Sequence, residues 1–371
     1  MEARAGSSPA PAVEVDPWVD RIGGWIERHQ RLAIKLGNIE SGISRDRLRS
    51  MEINRPVYIA GLARSGSTIL LELLGRHPEM ATHRYRDFPG LFTPIFWNWF
   101  IDRAASASQE AKERAHRDRI KVTPESPEAF EEVLWMAFFP QLHERGGNAV
   151  LDGETSSPAF ETFYRDHIRK VLLLRGGTRY LAKANYNATR LPYLSKLFPD
   201  ARFIVPVRDP VWHVASLMKQ HELFCREGER DPRVTRHLSR SGHFEFGLDR
   251  RAPVIGSPAR AAEIEGLWRE GNEAAGWALL WAATYGHVLS VLDAVPALKQ
   301  AVMIVRYEDL CATPLATMSA ILDHCGLLPE GIPEEAARQI SAPDYYRPGF
   351  TDEQIRAIRE RTASVAQSLG Y

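Results

Sequence analysis

The stretch Pro56-Val-Tyr-Ile-Ala-Gly-Leu-Ala-Arg-Ser-Gly-Ser-Thr-Ile-Leu-Leu-Glu-Leu-Leu74 decides the fold. Its opening is a short, continuous apolar run that stops at Gly61, as a strand buried on both faces does. Thr68 to Leu74 then reads as a helix. Between them lies a loop rich in Gly and Ser. A strand, a tight loop and a helix in this order form the entry unit of an α/β domain.

Working outward, the same alternation recurs. Ala149-Val-Leu151 ends at Asp152, Tyr180-Leu-Ala182 at Lys183, Arg202-Phe-Ile-Val-Pro-Val207 at Arg208, and Ala301-Val-Met-Ile-Val305 at Arg306. Each run is short and apolar and is followed by a polar residue, and helical patterns lie between them. The expectation is an α/β fold with a central, mostly parallel sheet flanked by helices, whose ligand edge is the C-terminal edge of the strands. Residues 18–53 carry Trp18, Ile22, Trp25 and Ile26, then Ile34, Leu36 and Ile39, at helical spacing among charges. We therefore divide the chain into an N-terminal tail with amphipathic helices (1–54) and one large domain (55–371). Residues 222–265 are Arg-, Gly- and Pro-rich with little periodicity and read as a candidate lid insertion.

The chain has 371 residues, with 47 Lys plus Arg against 47 Asp plus Glu and 44% hydrophobic residues. Such a balance excludes a disordered chain or a coiled-coil rod. It argues against a nucleic-acid or membrane-surface partner, both of which usually need a basic surplus. Three cysteines without a C-x-x-C pair imply neither a disulfide framework nor a zinc site, and fit a reducing compartment. No secretory pattern opens the sequence and no apolar run reaches the ~18 residues of a span, so a cytoplasmic protein is expected.

The loop Gly61 to Thr68 has the spacing of the triphosphate-binding pattern G-x-x-x-x-G-K-[ST], but Ser67 stands where the lysine belongs. The cation sits inside the loop instead, at Arg64. Backbone amides of such a loop and of the helix N-terminus cradle an anion. Ser65, Gly66, Ser67 and Thr68 complete the candidate cradle. A second signal follows at Arg208-Asp-Pro-Val-Trp-His-Val-Ala-Ser216. Pro210 suits a helix start, and Ser216 then falls about two turns in, where it can converge with the strand-end Arg208 on one phosphate. An ion pair of Arg208 with Asp209 is the plainer alternative.

Together these signals resemble the sulfotransferases that use 3′-phosphoadenosine 5′-phosphosulfate. Ala63-Arg-Ser-Gly-Ser-Thr68 is similar to that family's 5′-phosphosulfate loop, and Arg208 with Ser216 to its 3′-phosphate site. Lys183-Ala-Asn-Tyr186 followed by Leu197-Phe-Pro-Asp-Ala-Arg202, the segment Val305-Arg-Tyr-Glu-Asp-Leu310, and Tyr346-Arg-Pro-Gly-Phe350 fit it in order, over roughly residues 55–350. The resemblance implies a P-loop-kinase-like sandwich and sulfuryl transfer from that donor, without a metal, to an acceptor hydroxyl on a glycan or small metabolite. It places Tyr307, Arg347 and Gly349 with the loop at the donor, and Arg64 and Lys183 at the developing charge. The general base is a His or Glu in the family. Here Asp87, His83 and Glu154 are the candidates, with Asp87 favoured, although Asp87 could simply pair with Arg84 or Arg86. A kinase or NTPase using Asp152 for Mg²⁺, and a nucleotide-binding protein without catalysis, remain the competing readings.

Overall fold

In this computed structural model residues 15–104, 112–113, 121–341 and 348–371 are described. Three helices open the chain: α1 (Pro17–Arg28), α2 (Gln30–Ile43) and α3 (Arg45–Arg49). Asp16 caps α1 by accepting from the Trp18 amide, and Pro17 occupies the first helical position. Lys170 Nζ pins α2 to the body through the Gly37 carbonyl (2.7 Å) and the Glu40 carboxylate (3.1 Å), all buried.

Strand β1 (Val57–Ala60) and helix α4 (Ser67–Leu74) follow as expected, then β2 (Met80–Ala81) and α5 (Pro94–Ala104). A short antiparallel pair, β3 (Lys112–Glu113) and β4 (Lys121–Val122), precedes α6 (Glu132–Phe138) and the long α7 (Pro158–Arg175). Next come β5 (Arg179–Ala184), α8 (Leu191–Leu197), β6 (Arg202–Val207), α9 (Pro210–Arg230) and α10 (Pro232–Arg240). Helices α11 (Pro258–Arg269), α12 (Glu273–Ala294) and α13 (Pro296–Ala301) lead to β7 (Val302–Arg306). Helices α14 (Tyr307–Ala312), α15 (Pro314–Cys325), α16 (Ile332–Gln339) and α17 (Asp352–Ser368) close the chain.

The main sheet is parallel throughout and ordered β2-β5-β1-β6-β7. It is the α/β, P-loop-kinase-like arrangement expected, with the Gly61–Thr68 loop leaving the central strand. Every residue of β1 and β5 is buried, which explains the uninterrupted apolar character of β1 and of the Tyr180–Ala182 core of β5. Val57, Ile59 and Leu181 face α4, while Tyr58, Ala60 and Tyr180 face the larger core under α7 and α12. Helix α12 is long and apolar enough to cross a bilayer. Its apolar surface instead packs on α9, α11 and α17 and buries Trp277, Trp281 and Tyr285.

Two expectations fail. Ala149–Leu151 is not a strand: the amides of Ala149 and Leu151 donate to Val254 and Thr189, and only a single bridge, Asn148 to Val254, forms there. Nor are residues 222–265 a structureless insertion. Helix α9 runs to Arg230, Asp231 caps α10 with Pro232 at its first turn, and α11 begins at Pro258. Three of the arginines, Arg233, Arg236 and Arg240, belong to α10: Arg236 and Arg240 reach Asp20, and Arg240 also reaches Glu27, tying α10 to α1.

Candidate active site

The loop closes around Arg64 and Gly66. Both have positive φ, +71° and +96°, which turns the chain sharply enough to aim successive amides outward. Ser65 is buried and its hydroxyl donates to the Leu62 carbonyl (2.8 Å), so it braces the loop from within. Ser67 is buried at the start of α4, and the first-turn amides of that helix face the loop's mouth. Behind the loop, His213 of α9 donates from Nε2 to the Ala63 carbonyl (2.8 Å). Burial first, and then the charges of Arg208 and Arg64, push the imidazole down to about 3, against the Ala63 bond that favours its charge.

The second motif meets the first. Arg64 Nε donates to Ser216 Oγ (3.3 Å), and the Arg208 guanidinium donates to the Arg64 carbonyl (3.4 Å). Arg208 is 8% exposed, and its Nε has no hydrogen-bond partner. Asp209 is not its counter-ion. The Asp209 carboxylate caps α9 through the amides of Val211 and Trp212, and its own amide donates to Glu308. The Arg208 guanidinium lies 4.6 Å from the ring centre of Tyr307, and that ring also packs against Gly66. Residues from three separate points in the chain therefore form one cationic wall with an aromatic floor. Arg347 lies outside the described residues, and Gly349 is exposed with open space around it.

Lys183 is the penultimate residue of β5 and is buried. It pairs in register with Ile59, so it shares the α4 face of the sheet and stands beside the loop. The next polar residue, Asn185, donates to Glu245 Oε1 (2.8 Å), and Tyr186 donates to Glu245 Oε2 (2.8 Å). His243 Nδ1 is 3.0 Å from Glu245 Oε1. Burial works to raise the Glu245 carboxyl, but His243 and the donors around it hold it below its ordinary value. An ionised carboxylate only accepts, so His243 donates to it from Nδ1. The residue pattern shows no sign of this pair, because both members sit on the turn after α10, and only tertiary packing brings that turn back to the strand edge.

The three base candidates read from the sequence are placed elsewhere. The Asp87 carboxylate is buried and accepts from the Arg84 amide (2.8 Å), Asn98 (2.9 Å) and Arg175. Burial opposes its ionisation, but His83 and Arg175 overcome this and hold it well below the usual carboxylate range. Its side-chain ion-pair partner is thus Arg175, not Arg84 or Arg86. His83 stacks on His167 and is equally buried. Glu154 is exposed in a turn organised by Asp152, whose Oδ1 accepts from Glu154 and Thr155. Among the described residues no group of three His, Cys, Asp or Glu side chains is arranged to hold a metal ion.

Another buried carboxylate lies under the sheet. Glu131 accepts from Tyr164, Tyr180 (2.9 Å) and Asn187 (3.5 Å), and burial raises its pKa. Its neighbour Glu132 takes both terminal nitrogens of Arg190 (2.9 and 2.6 Å) and His143 Nε2 (2.6 Å). Burial opposes its charge, yet Arg190 and His143 hold it at about 2.

The sequence model of the sulfotransferase family matches residues 56–241. Those residues contain the loop, Lys183, Arg208 and Ser216. The structure is similar to the sulfotransferase STF1 from Mycobacterium tuberculosis, with a TM-score of 0.51 at 16% identity over 92% of this chain and 86% of that one. STF9 from Mycobacterium avium aligns with a TM-score of 0.49 at 14% identity over 89% and 81% of the two chains. No curated protein sequence matches the chain. The family match spans half of the chain and includes the cationic loop, so this chain belongs to the sulfotransferase family.

Proposed function

We propose that the chain moves the sulfuryl group of 3′-phosphoadenosine 5′-phosphosulfate onto an acceptor hydroxyl. One observation carries the reading: Arg64, Ser216 and Arg208 converge on the Gly61–Thr68 loop, with an unpartnered buried Arg208 nitrogen beside them. A buried guanidinium donor without an acceptor fits an anionic ligand. The loop and the α4 amides suit the 5′-phosphosulfate, and Arg208 with Ser216 suits the 3′-phosphate. Tyr307 floors the wall between them.

The donor supplies a sulfur whose bond to the 5′-phosphate oxygen breaks as its bond to the acceptor oxygen forms. The charge that returns to the bridging oxygen is met by Arg64 and Lys183, fixed before reaction begins. His243, oriented by Glu245, takes the acceptor's proton. Asn185 and Tyr186 hold that carboxylate in place.

The test is thermal stabilisation by 3′-phosphoadenosine 5′-phosphate in EDTA, followed by transfer of ³⁵S from the labelled donor to a panel of hydroxyl acceptors. Stabilisation and labelling are expected. Stabilisation only by Mg·ATP or Mg·GTP would overturn the reading.

A further inference from the structure

Helices α1 and α2 carry their side chains the wrong way round for elements packed on a core. Gly23 and Gly24 of α1, and Ala33, Gly37 and Glu40 of α2, are the buried ones. Their small size permits a close approach: a Cβ on Gly37 would fall 2.6 Å from the Phe92 carbonyl oxygen. The large apolar side chains lie on the outside. Trp18 and Trp25 of α1 are 46% and 42% exposed. On α2, Leu32, Leu36, Ile39 and Ile43 recur at three- and four-residue intervals along one exposed face.

Helix α5 extends this surface. The Phe96 amide donates to Glu40 of α2 (2.7 Å), and Trp97 stacks on Trp18 of α1 (6.2 Å). Phe96, Trp99 and Phe100 of α5 are exposed, and the Arg103 guanidinium lies over the Trp99 ring at 3.9 Å. Three neighbouring helices thus hold nine of the twelve exposed large apolar side chains among the described residues, which makes a patch rather than a scatter. Each leaves roughly 100 Å² open, so together they exceed the ~300–600 Å² of the largest patch on a typical monomer.

The charge around the patch has one sign. The carboxylates of α1 and α2 are matched from the body of the protein, Asp20 and Glu27 by Arg236 and Arg240, and Glu40 by Lys170. Arg21 and Arg28 border the tryptophan row of α1, and Arg31 and Lys35 border the apolar stripe of α2, all exposed. The zero net charge of the chain therefore conceals a local basic surplus. Exposed aliphatic side chains and indoles rimmed by Arg and Lys match an anionic lipid surface, which offers an acyl boundary beneath a layer of phosphates. A second copy of this chain, seated on the same patch by a two-fold axis, would instead bring two basic rims together.

We propose that α1, α2 and α5 form a docking face for a bilayer rich in anionic phospholipids. The apolar residues reach the acyl boundary, and Arg21, Arg28, Arg31 and Lys35 lie among the headgroup phosphates. The chain rests on the membrane and does not span it. The proposal stands independently of the transfer reading.

The experiment is co-sedimentation of the full chain with vesicles of phosphatidylcholine alone, or of phosphatidylcholine mixed with an equal amount of phosphatidylglycerol. Binding to the mixed vesicles is expected to be at least about tenfold stronger, and to weaken as salt is added. The triple variant Leu36→Gln, Ile39→Gln, Ile43→Gln lowers it at least about tenfold, and so does Arg28→Gln, Arg31→Gln, Lys35→Gln. Thermal melting close to that of the parent reports an intact fold in both. The single Ile43→Gln, at the most exposed of these positions, lowers binding about threefold. Leu315→Gln and Leu328→Gln, at exposed apolar positions outside the patch, leave it unchanged. Absence of binding, equal binding to the two kinds of vesicle, or binding that survives either triple substitution overturns the proposal. So does sedimentation of the vesicle-free chain as a dimer that the α2 apolar variant dissociates, which would assign the face to a second copy.

Discussion

Replacing Gly66 by Ala probes the contact that joins the loop to its aromatic floor. Two costs add. Gly66 sits at φ +96°, where a residue with a side chain loses ~1–2 kcal/mol. A Cβ built there falls 2.7 Å from Cδ2 of Tyr307, and relieving such an overlap in packed surroundings costs typically ~1–3 kcal/mol. The total is about 2–5 kcal/mol. Gly256→Ala is the matched control, since its φ is +73° and no heavy atom lies within 4 Å of the added methyl. It carries only the first cost, ~1–2 kcal/mol. Urea denaturation of the two variants separates the terms. Calorimetry with 3′-phosphoadenosine 5′-phosphate adds a functional readout. Tyr307 cannot move without disturbing the Arg208 guanidinium 4.6 Å from its ring centre, so Gly66→Ala weakens nucleotide binding while Gly256→Ala does not. Equal destabilisation of the two variants, with unchanged nucleotide affinity in Gly66→Ala, would refute the argument.

Arg208→Ala removes a buried charged donor and should lower nucleotide affinity by about 1.5–3 kcal/mol, roughly ten- to a hundredfold. A change under about threefold by calorimetry would place the phosphate elsewhere. Lys183→Met should reduce turnover of labelled donor while nucleotide affinity stays near the parent value; a matched loss of both would make Lys183 a ground-state binder. Glu245→Gln leaves His243 without its carboxylate and should cut kcat by ~10²-fold or more at unchanged nucleotide affinity. Full activity in that variant would remove the pair from the mechanism. The Glu132 carboxyl is held at about 2 in the fold against 4.5 as its ordinary value, a linkage of ~3 kcal/mol. Because the folded value is the lower one, this stability is complete above about pH 4.5 and is lost as pH falls toward 2. Glu132→Gln should flatten that part of the stability curve and cost ~3–5 kcal/mol at neutral pH by stranding Arg190. An unaltered acid limb in urea melts would count against the coupling.

The cationic loop cluster is legible in the sequence because its residues sit at fixed offsets from strand ends and helix starts. Arg64 is in the turn after β1, Arg208 follows β6, and Ser216 is two turns into a helix announced by Pro210. Parallel pairing of β1 with β6 then brings these offsets together. The His243–Glu245 pair is not legible in this way. His243 and Glu245 lie on a turn whose position depends on Tyr186, Asn185 and α9, and no spacing rule encodes that. Strand Met80–Ala81 is two residues long, too short for any periodicity to register. Ala149–Leu151 has a strand's composition but its amides answer to carbonyls on two different segments. The surroundings of the favoured base, Asp87, are hidden for a related reason. Arg175, which neutralises it, lies 88 residues away, so local pairing with Arg84 or Arg86 was the only alternative visible.

Helix α9 meets both halves of the site along a single stripe. His213 and Ser216 touch the loop, and two turns further on His221 receives the Gly247 amide (3.2 Å) while Phe224 packs on Phe246. The helix is thus a common lever. If donor occupancy shifts it, the acceptor's affinity changes by some factor, and by thermodynamic necessity the acceptor changes the donor's affinity by that same factor. Both imidazoles on the stripe are held near neutrality, His213 at about 3 and His221 at about 4. Neither imidazole therefore changes charge between mildly acidic and neutral solution, so neither of them makes the cooperativity depend on pH there.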